Sequence, residues 1–135
     1  MHKDERFPKY LRIKSKKIFE QLAASNNKLL HYPILLKWFV AHNGNTEKPA
    51  VQVGFSVSKR RLKKAVKRNK IKRRLKEAFR KNKNLLPINT PGQNSLYLLF
   101  VYLSDKEFDY NTINLAIRDL LKNLTDTLSN FKQNS

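Results

Sequence analysis

The feature that most constrains this chain is a run of basic residues that also carries the apolar spacing of a helix. Between Lys59 and Lys83 lie fifteen of the 29 lysine and arginine residues and a single acid, Glu77. Four apolar residues in this run follow the i, i+4, i+7, i+8 spacing of one helix face: Ile71, Leu75, Ala78 and Phe79. The run therefore predicts an amphipathic helix whose narrow apolar stripe packs on a core while the rest of its surface is cationic.

The remainder of the chain has the composition to supply that core. Its 135 residues fit a single domain, 1–135, and a hydrophobic fraction of 40% argues against a disordered basic tail. The 29 basic and 10 acidic residues leave a net charge of +19, which favours a polyanionic partner. The absence of cysteine excludes disulfides and thiolate zinc sites, and a cytoplasmic location is expected. No apolar stretch approaches the roughly 18 residues of a membrane span.

Helical spacing predicts two further helices. The first begins at the N-cap Ser15 and ends near Ser25, and the last is capped by Asp109 or Asn111 and keeps its apolar spacing to Leu128. Residues 1–14 are expected to form an extended basic arm, and residues 130–135 a polar tail.

Three apolar runs predict strands. Tyr32–Ala41 and Ala50–Ser58 flank the turn-rich residues 42–49, which favours a two-stranded hairpin. Leu96–Leu103 is almost continuously apolar, as expected of a central strand. The predicted order is α-β-β-α-β-α, an α+β fold.

A helical wheel of the basic run places most of its charges opposite Leu75. That arc holds Lys67, Asn69, Lys70, Arg73, Arg74, Lys76, Glu77 and Arg80. Arg68 and Lys72 fall beside the apolar stripe, so their charged ends are expected at the boundary between helix and sheet. Like charges at i, i+3 and i, i+4 repel each other, and a bound polyanion would offset that repulsion.

Charge alone leaves several interpretations of this surface open. The face can be solvated without a specific partner, and RNA, DNA and anionic membranes all attract it. A membrane helix would need a broader apolar face. A DNA-binding helix-turn-helix would need a preceding helix and a tight turn, where this chain has a strand.

Two segments resemble the signature of the bacterial ribonuclease P protein component. They are Val53–Lys59, VGFSVSK, and Ala65–Arg80, AVKRNKIKRRLKEAFR, the second of which is similar to the Arg-Asn-Arg helix of that family. Upstream, Leu11–Leu22, LRIKSKKIFEQL, resembles the first helix of the family. The resemblance implies a single two-layer α/β sandwich with a mixed sheet, the ribosomal protein S5 domain 2-like fold. Two positions depart from the family pattern: Lys70 replaces an arginine and loses its planar fork, and the connection Arg60–Lys64 is longer than in many relatives.

The same resemblance implies a function. The chain is expected to be the protein subunit of ribonuclease P, which binds the catalytic RNA and the 5′ leader of precursor tRNA and assists endonucleolytic removal of the leader. The RNA subunit would carry the hydrolysis and hold most of the Mg²⁺, while the protein alone binds no cofactor and supplies no catalytic residue. Neither a membrane nor a specific DNA is an expected partner. A ribosomal or general RNA-chaperone protein remains the alternative, because its charge pattern would be the same.

Carried over residue by residue, the resemblance predicts which side chains bind the catalytic RNA. They lie in the basic helix and in the turn before it: Lys59, Arg60, Lys67, Arg68, Asn69, Lys70, Lys72, Arg73, Arg74 and Lys76. Asn69 can instead hydrogen-bond the backbone of its own helix.

The resemblance also implies a leader-binding cleft between the first helix and the sheet, with four predicted residues: Arg12, Phe19, Ser56 and Trp38. The ring of Phe19 can stack on a leader base or belong to the core. Ala23 stands where some relatives carry a second aromatic residue. The small, polar side of the second strand, residues 52–58, can line the cleft or be covered by a helix, because alternation does not decide which way that side faces.

Overall fold

The structure, a computed structural model, describes residues 12–42, 50–86 and 94–133. In chain order its elements are helix α1 (Lys16–Ala24), strands β1 (Lys28–His31), β2 (Ile34–His42) and β3 (Val51–Val57), helix α2 (Ala65–Asn82), a 3-10 turn (Lys83–Leu85), strand β4 (Asn94–Tyr102) and helix α3 (Tyr110–Gln133). The six predicted elements are all present in the predicted order. Strand β1 is additional, and its four residues are too few for alternation to be read from the sequence.

The four strands form one mixed sheet in the order β1-β2-β4-β3. Strand β2 is antiparallel to β1 and β4, whereas β3 is parallel to β4. The prediction of a hairpin between β2 and β3 is therefore wrong, because β4 lies between them. The apolar run of β4 is buried on both sides of the sheet, which favours a central position. The turn-rich sequence of residues 42–49 gives no indication that another strand lies between β2 and β3.

Side-chain caps fix where the first and last helices begin. The Oγ of Ser15 accepts a hydrogen bond from the backbone N–H of Ile18 at 3.3 Å, as predicted. Asp109, not Asn111, caps α3, since its Oδ1 accepts from the N–H of Thr112 at 2.9 Å. That hydrogen bond is the main cause that lowers the pKa of Asp109. Helix α3 continues to Gln133, so most of the expected tail is helical.

One face of the sheet is covered by α2 and α3, which together with the sheet form the two-layer core. The predicted apolar stripe of α2 is confirmed: Ile71, Leu75, Ala78 and Phe79 are fully buried. The ring of Phe79 lies 5.8 Å from that of Phe100 on β4 and 6.4 Å from that of Phe55 on β3. Of the helices in the described ranges, none is both long and apolar enough to cross a bilayer.

Helix α1 covers part of the opposite face. Its Leu22 is fully buried with Ile13 and with Tyr97 and Leu99 of β4. Alternation therefore directs Gln52, Gly54 and Ser56 of β3 toward the α1 side, and Val51, Val53 and Val57 toward α2 and α3. The small, polar side of β3 therefore faces α1.

Gly54 allows α1 to lie close to the sheet. A Cβ atom at this position would come within 2.6 and 2.8 Å of Cε1 and Cζ of Phe19, closer than carbon atoms can approach without movement. The ring of Phe19 therefore occupies the space that any other residue at position 54 would fill.

Replacing Gly54 with Ala is expected to lower the free energy of unfolding by about 1–3 kcal/mol, because the added methyl group overpacks the contact with Phe19. Urea denaturation measures the effect. Ser56→Ala, on the same side of β3, serves as the control with a much smaller change. In a Phe19→Ala background the cost of Gly54→Ala should shrink, and an undiminished cost there would show that the ring contact is not its cause.

Candidate nucleic-acid interface

The solvent side of α2 is a row of cations anchored by the buried stripe beneath it. Lys67, Asn69 and Arg73 are exposed, and Lys70, Lys72, Arg74 and Lys76 are half-buried. Lys59 and Arg60 are exposed in the turn that leads from β3 into this helix. Because α2 contains 18 residues, the helix that carries this row is about 27 Å long.

Arg68 differs from the other basic residues of α2. It is half-buried, and its Nη1 donates hydrogen bonds to the carbonyl oxygens of Leu62 and Lys63, both at 2.8 Å. The guanidinium therefore fastens the segment that precedes the helix. This contact gives Arg68 a structural role that the sequence did not indicate.

Two basic residues of α2 are paired with the connection between β4 and α3. Glu107 Oε2 lies 3.3 Å from Nη2 of Arg74 and 3.6 Å from Nζ of Lys70. Nη1 of Arg74 also donates to the carbonyl oxygen of Phe108 at 2.6 Å. The pair with Lys70 is the more exposed and longer of the two and is therefore weak, so a phosphate can compete with Glu107 for Lys70.

The acid of the basic run reduces the positive charge of the C-terminal part of α2. Arg80 donates from Nε and Nη2 to the two carboxylate oxygens of Glu77, each at 2.9 Å, and Nζ of Lys81 lies 3.9 Å away. The hydrogen bond from Arg80 is the largest cause that lowers the pKa of Glu77. Since Glu107 reaches Lys70 and Arg74 in the middle of the helix, the positive charge available to a ligand is greatest toward the N-terminal turns.

Arg12 joins this cationic surface from another part of the chain. The N–H of Ile13 donates to the carbonyl oxygen of Val53 at 3.3 Å, so the segment runs along the outer edge of β3. The pKa of Lys76 is lowered, first by burial and then by the charges of Arg12 and Lys72. The charges of Arg12 and Lys72 therefore act on Lys76 where this edge approaches α2.

The four residues predicted for the leader cleft do not all come together. Phe19 and Ser56 are half-buried on the α1 side of the sheet. Arg12 lies at the edge of β3, with its charge acting on Lys76. The prediction for Trp38 is wrong: it is only 6% exposed and belongs to the core under α2 and α3. Its position on β2 directs it away from Phe19. Alternation alone shows which residues share one side of a strand, but not which side faces α1.

The residue adjacent to Trp38 is the aromatic that does face α1. Phe39 is half-buried there, and its ring lies 5.0 Å from that of Tyr97 on β4. Next to α1, strand pairing aligns Leu30, Leu35, Val101 and Ser56 across all four strands. Leu30 is 63% exposed and the other three are half-buried, which leaves a shallow apolar strip beside the helix. Phe39 was not among the predicted cleft residues, because alternation does not decide which side of β2 faces α1.

The C-terminal end of α1 is fixed to β2 by polar contacts. Nζ of Lys37 donates to the carbonyl oxygen of Ala23 at 2.6 Å, and Oγ of Ser25 donates to that of Trp38 at 2.8 Å. These bonds hold the helix across the sheet, so the strip beside it has a defined wall. In the described part of the chain, no group of three or more His, Cys, Asp or Glu residues is arranged to hold a metal ion.

Comparison with known proteins identifies the family of this chain. The sequence profile of the ribonuclease P family matches residues 7–125. The chain belongs to the ribonuclease P family. No curated protein sequence matches it significantly.

Solved ribonuclease P proteins share the fold. The protein from Staphylococcus aureus superposes with a TM-score of 0.65 at 23% identity, over 84% of this chain and 94% of that one. The protein from Thermotoga maritima gives a TM-score of 0.64 at 21% identity, over 83% and 96% of the two chains. Of the two segments that resemble the family signature, residues 53–59 lie on β3 and the start of the turn after it, and residues 65–80 lie on α2.

The lowered pKa of Lys76 should respond to its neighbours. Arg12→Gln removes one repelling charge, so the pKa of Lys76 should rise, yet stay below its ordinary value of 10.5 because burial is the largest cause. Carbon NMR of the lysine ε position against pH measures this shift. Arg118→Gln on the exposed side of α3 is the control, and an unchanged Lys76 pKa in Arg12→Gln would contradict the placement of Arg12.

The sign of the linked stability follows from the same shift. Folding lowers the pKa of Lys76 from its ordinary value of 10.5. At pH values between the folded-state pKa and 10.5, the amine is therefore protonated more often in the unfolded chain than in the folded one. The contribution of Lys76 to the free energy of unfolding therefore increases as the pH rises through that window.

Proposed function

We propose that this ribonuclease P protein binds the catalytic RNA through α2 and the turn before it, and holds the 5′ leader of precursor tRNA beside α1. In this way it assists endonucleolytic removal of the leader. The observation that carries the proposal is the division of α2 into a fully buried apolar stripe and a row of solvent-facing cations.

A cationic helix of this kind suits folded RNA. Double-stranded RNA offers proteins its phosphates, 2′-hydroxyls and shape more readily than its base edges. Flexible lysine and arginine ends can follow a phosphate backbone, and the amide of Asn69 adds a neutral donor and acceptor. Each neutralised phosphate releases counterions, which supplies affinity without requiring a particular sequence.

The α1 side of the sheet suits an unpaired leader. Phe19 and Phe39 offer aromatic rings, and the strip from Leu30 to Ser56 offers a shallow surface between strands and helix. Stacking of bases on aromatic rings tolerates any sequence. Arg12, at the edge of β3 beside Lys76, would join the phosphates of the leader to the surface of α2.

The division of labour proposed for the enzyme assigns the chemistry to the RNA. The RNA subunit would hold the Mg²⁺ ions and carry the phosphodiester hydrolysis, while the protein contributes affinity and position. None of the side chains at the interface is proposed to touch the reacting phosphate.

The proposal is tested by adding the purified chain to ribonuclease P RNA at low Mg²⁺ concentration. Cleavage of precursor tRNA should increase, and the chain should bind precursor more tightly than mature tRNA in the assembled enzyme. Phe19→Leu keeps an apolar side chain against Gly54 but removes the ring, so it should reduce the preference for precursor. A ribosomal or chaperone protein would leave cleavage unchanged, and that result would refute the proposal.

Salt dependence separates the phosphate contacts from the structural ones. Arg73→Gln should reduce the slope of log affinity against log salt by about 1, with the free energy of unfolding unchanged, because Arg73 is exposed. Arg68→Gln should in addition lower the free energy of unfolding by about 1 kcal/mol, because two carbonyl oxygens lose their donor. Binding at several salt concentrations and urea denaturation measure both. An Arg73 variant with an unchanged slope would place the RNA elsewhere.

A further inference from the structure

A second concave site lies at one end of the sheet, next to the end of the apolar strip and at the turn that leads to α2. It is a cavity open to solvent, with a volume of about 790 Å³, formed where the turn between β1 and β2, the end of β4 and the turn after β3 meet. Its volume falls in the usual range for small-molecule sites. Nothing in the roles proposed above requires a cavity at this place.

The cavity carries an aromatic side chain that the core does not use. Tyr32 is 59% exposed although it is large and apolar in most of its surface. Its ring meets that of Phe108 edge-on, with centroids 6.1 Å apart and planes at 89°. Phe108 itself packs against the core. The tyrosine is thus supported from one side while most of it remains in contact with solvent.

Cations line the same cavity on a turn that is held in place. Oγ of Ser58 accepts from the N–H of Arg60 at 3.0 Å, and the carbonyl oxygen of Ser58 accepts from the N–H of Leu62 at 3.0 Å. Nη1 of Arg61 donates to the carbonyl oxygen of Leu103 at 2.6 Å, which ties the turn to the end of β4. Lys59 and Arg60 are exposed on this ordered turn and line the cavity with Tyr32.

The other charged group of the lining restricts the ligand. Asp105 brings one negative charge against those of Lys59, Arg60 and Arg61. The lining remains net positive and attracts anions, and a nucleotide can use both signs of charge, because its phosphate can lie on the cations while a ribose hydroxyl or a base amino group donates to Asp105.

We infer that this cavity holds one unpaired nucleotide of an RNA, with its base against the ring of Tyr32 and its flanking phosphates on Lys59 and Arg60. The inference deepens the proposed function and rests on it, since the ligand is part of an RNA that the chain already binds. Either the catalytic RNA or the leader of the precursor can supply such a nucleotide.

The test compares Tyr32→Leu with the wild-type chain in binding to three RNAs at matched salt: ribonuclease P RNA, a single-stranded RNA oligonucleotide of leader length, and mature tRNA. Loss of a base–aromatic stack should weaken binding of at least one of the first two by about fivefold to a hundredfold. Because the stack is uncharged, the salt slope should not change. Tyr32→Phe should restore most of the lost affinity, and Leu115→Ala, an exposed apolar position on α3, is the matched control.

The outcomes are distinct. A loss confined to ribonuclease P RNA assigns the nucleotide to the catalytic RNA, and a loss confined to the oligonucleotide assigns it to the leader. Equal affinity of Tyr32→Leu and wild type for all three RNAs, with thermal unfolding showing both proteins folded, overturns the inference. Stimulation of cleavage by the wild-type chain is measured separately, so failure of the proposed function is recognised independently of the affinity of Tyr32→Leu relative to wild type.

Discussion

The burial of one thin apolar stripe makes the rest of this protein possible. Ile71, Leu75 and Phe79 each lose all contact with water against the sheet, and each such side chain contributes about 1.5–3 kcal/mol. Repulsion between neighbouring cations on the same helix costs about 0.2–0.5 kcal/mol per pair. Burial therefore outweighs the repulsion, and a helix that would be unstable alone becomes a fixed support for positive charge.

The few acids near α2 shape this charge. Glu77 is occupied by Arg80, and Glu107 reaches Lys70 and Arg74 from the connection before α3. Glu107 therefore meets the middle of the helix and Glu77 its C-terminal turns, so the cationic surface is uneven along its length. Arg12 adds a positive charge on another side of the helix. The chain before α1 runs along β3 there, and the charge of Arg12 acts on Lys76.

Much of this structure could be predicted from local patterns, and the failures share a cause. The stripe of α2, the cap at Ser15 and the order of the six elements follow from spacing and side-chain chemistry that act within a few residues. The pairing of β2 and β3 with β4, the direction of Trp38 and the contacts of Arg68 depend on segments distant in the chain. Gly54 belongs with these, because the ring that fills its space comes from α1.

The central position of β4 has a consequence for how the chain reaches this state. During synthesis, β2 and β3 emerge before the strand that separates them, so β2 can pair only with β1, and β3 with no other strand of the sheet, until residues 94–102 are available. Until then the stripe of α2 has only part of its sheet to cover it. Contacts so distant in sequence slow folding, so the nascent chain presents a strongly basic, incompletely covered segment to a cell rich in RNA before its core can close.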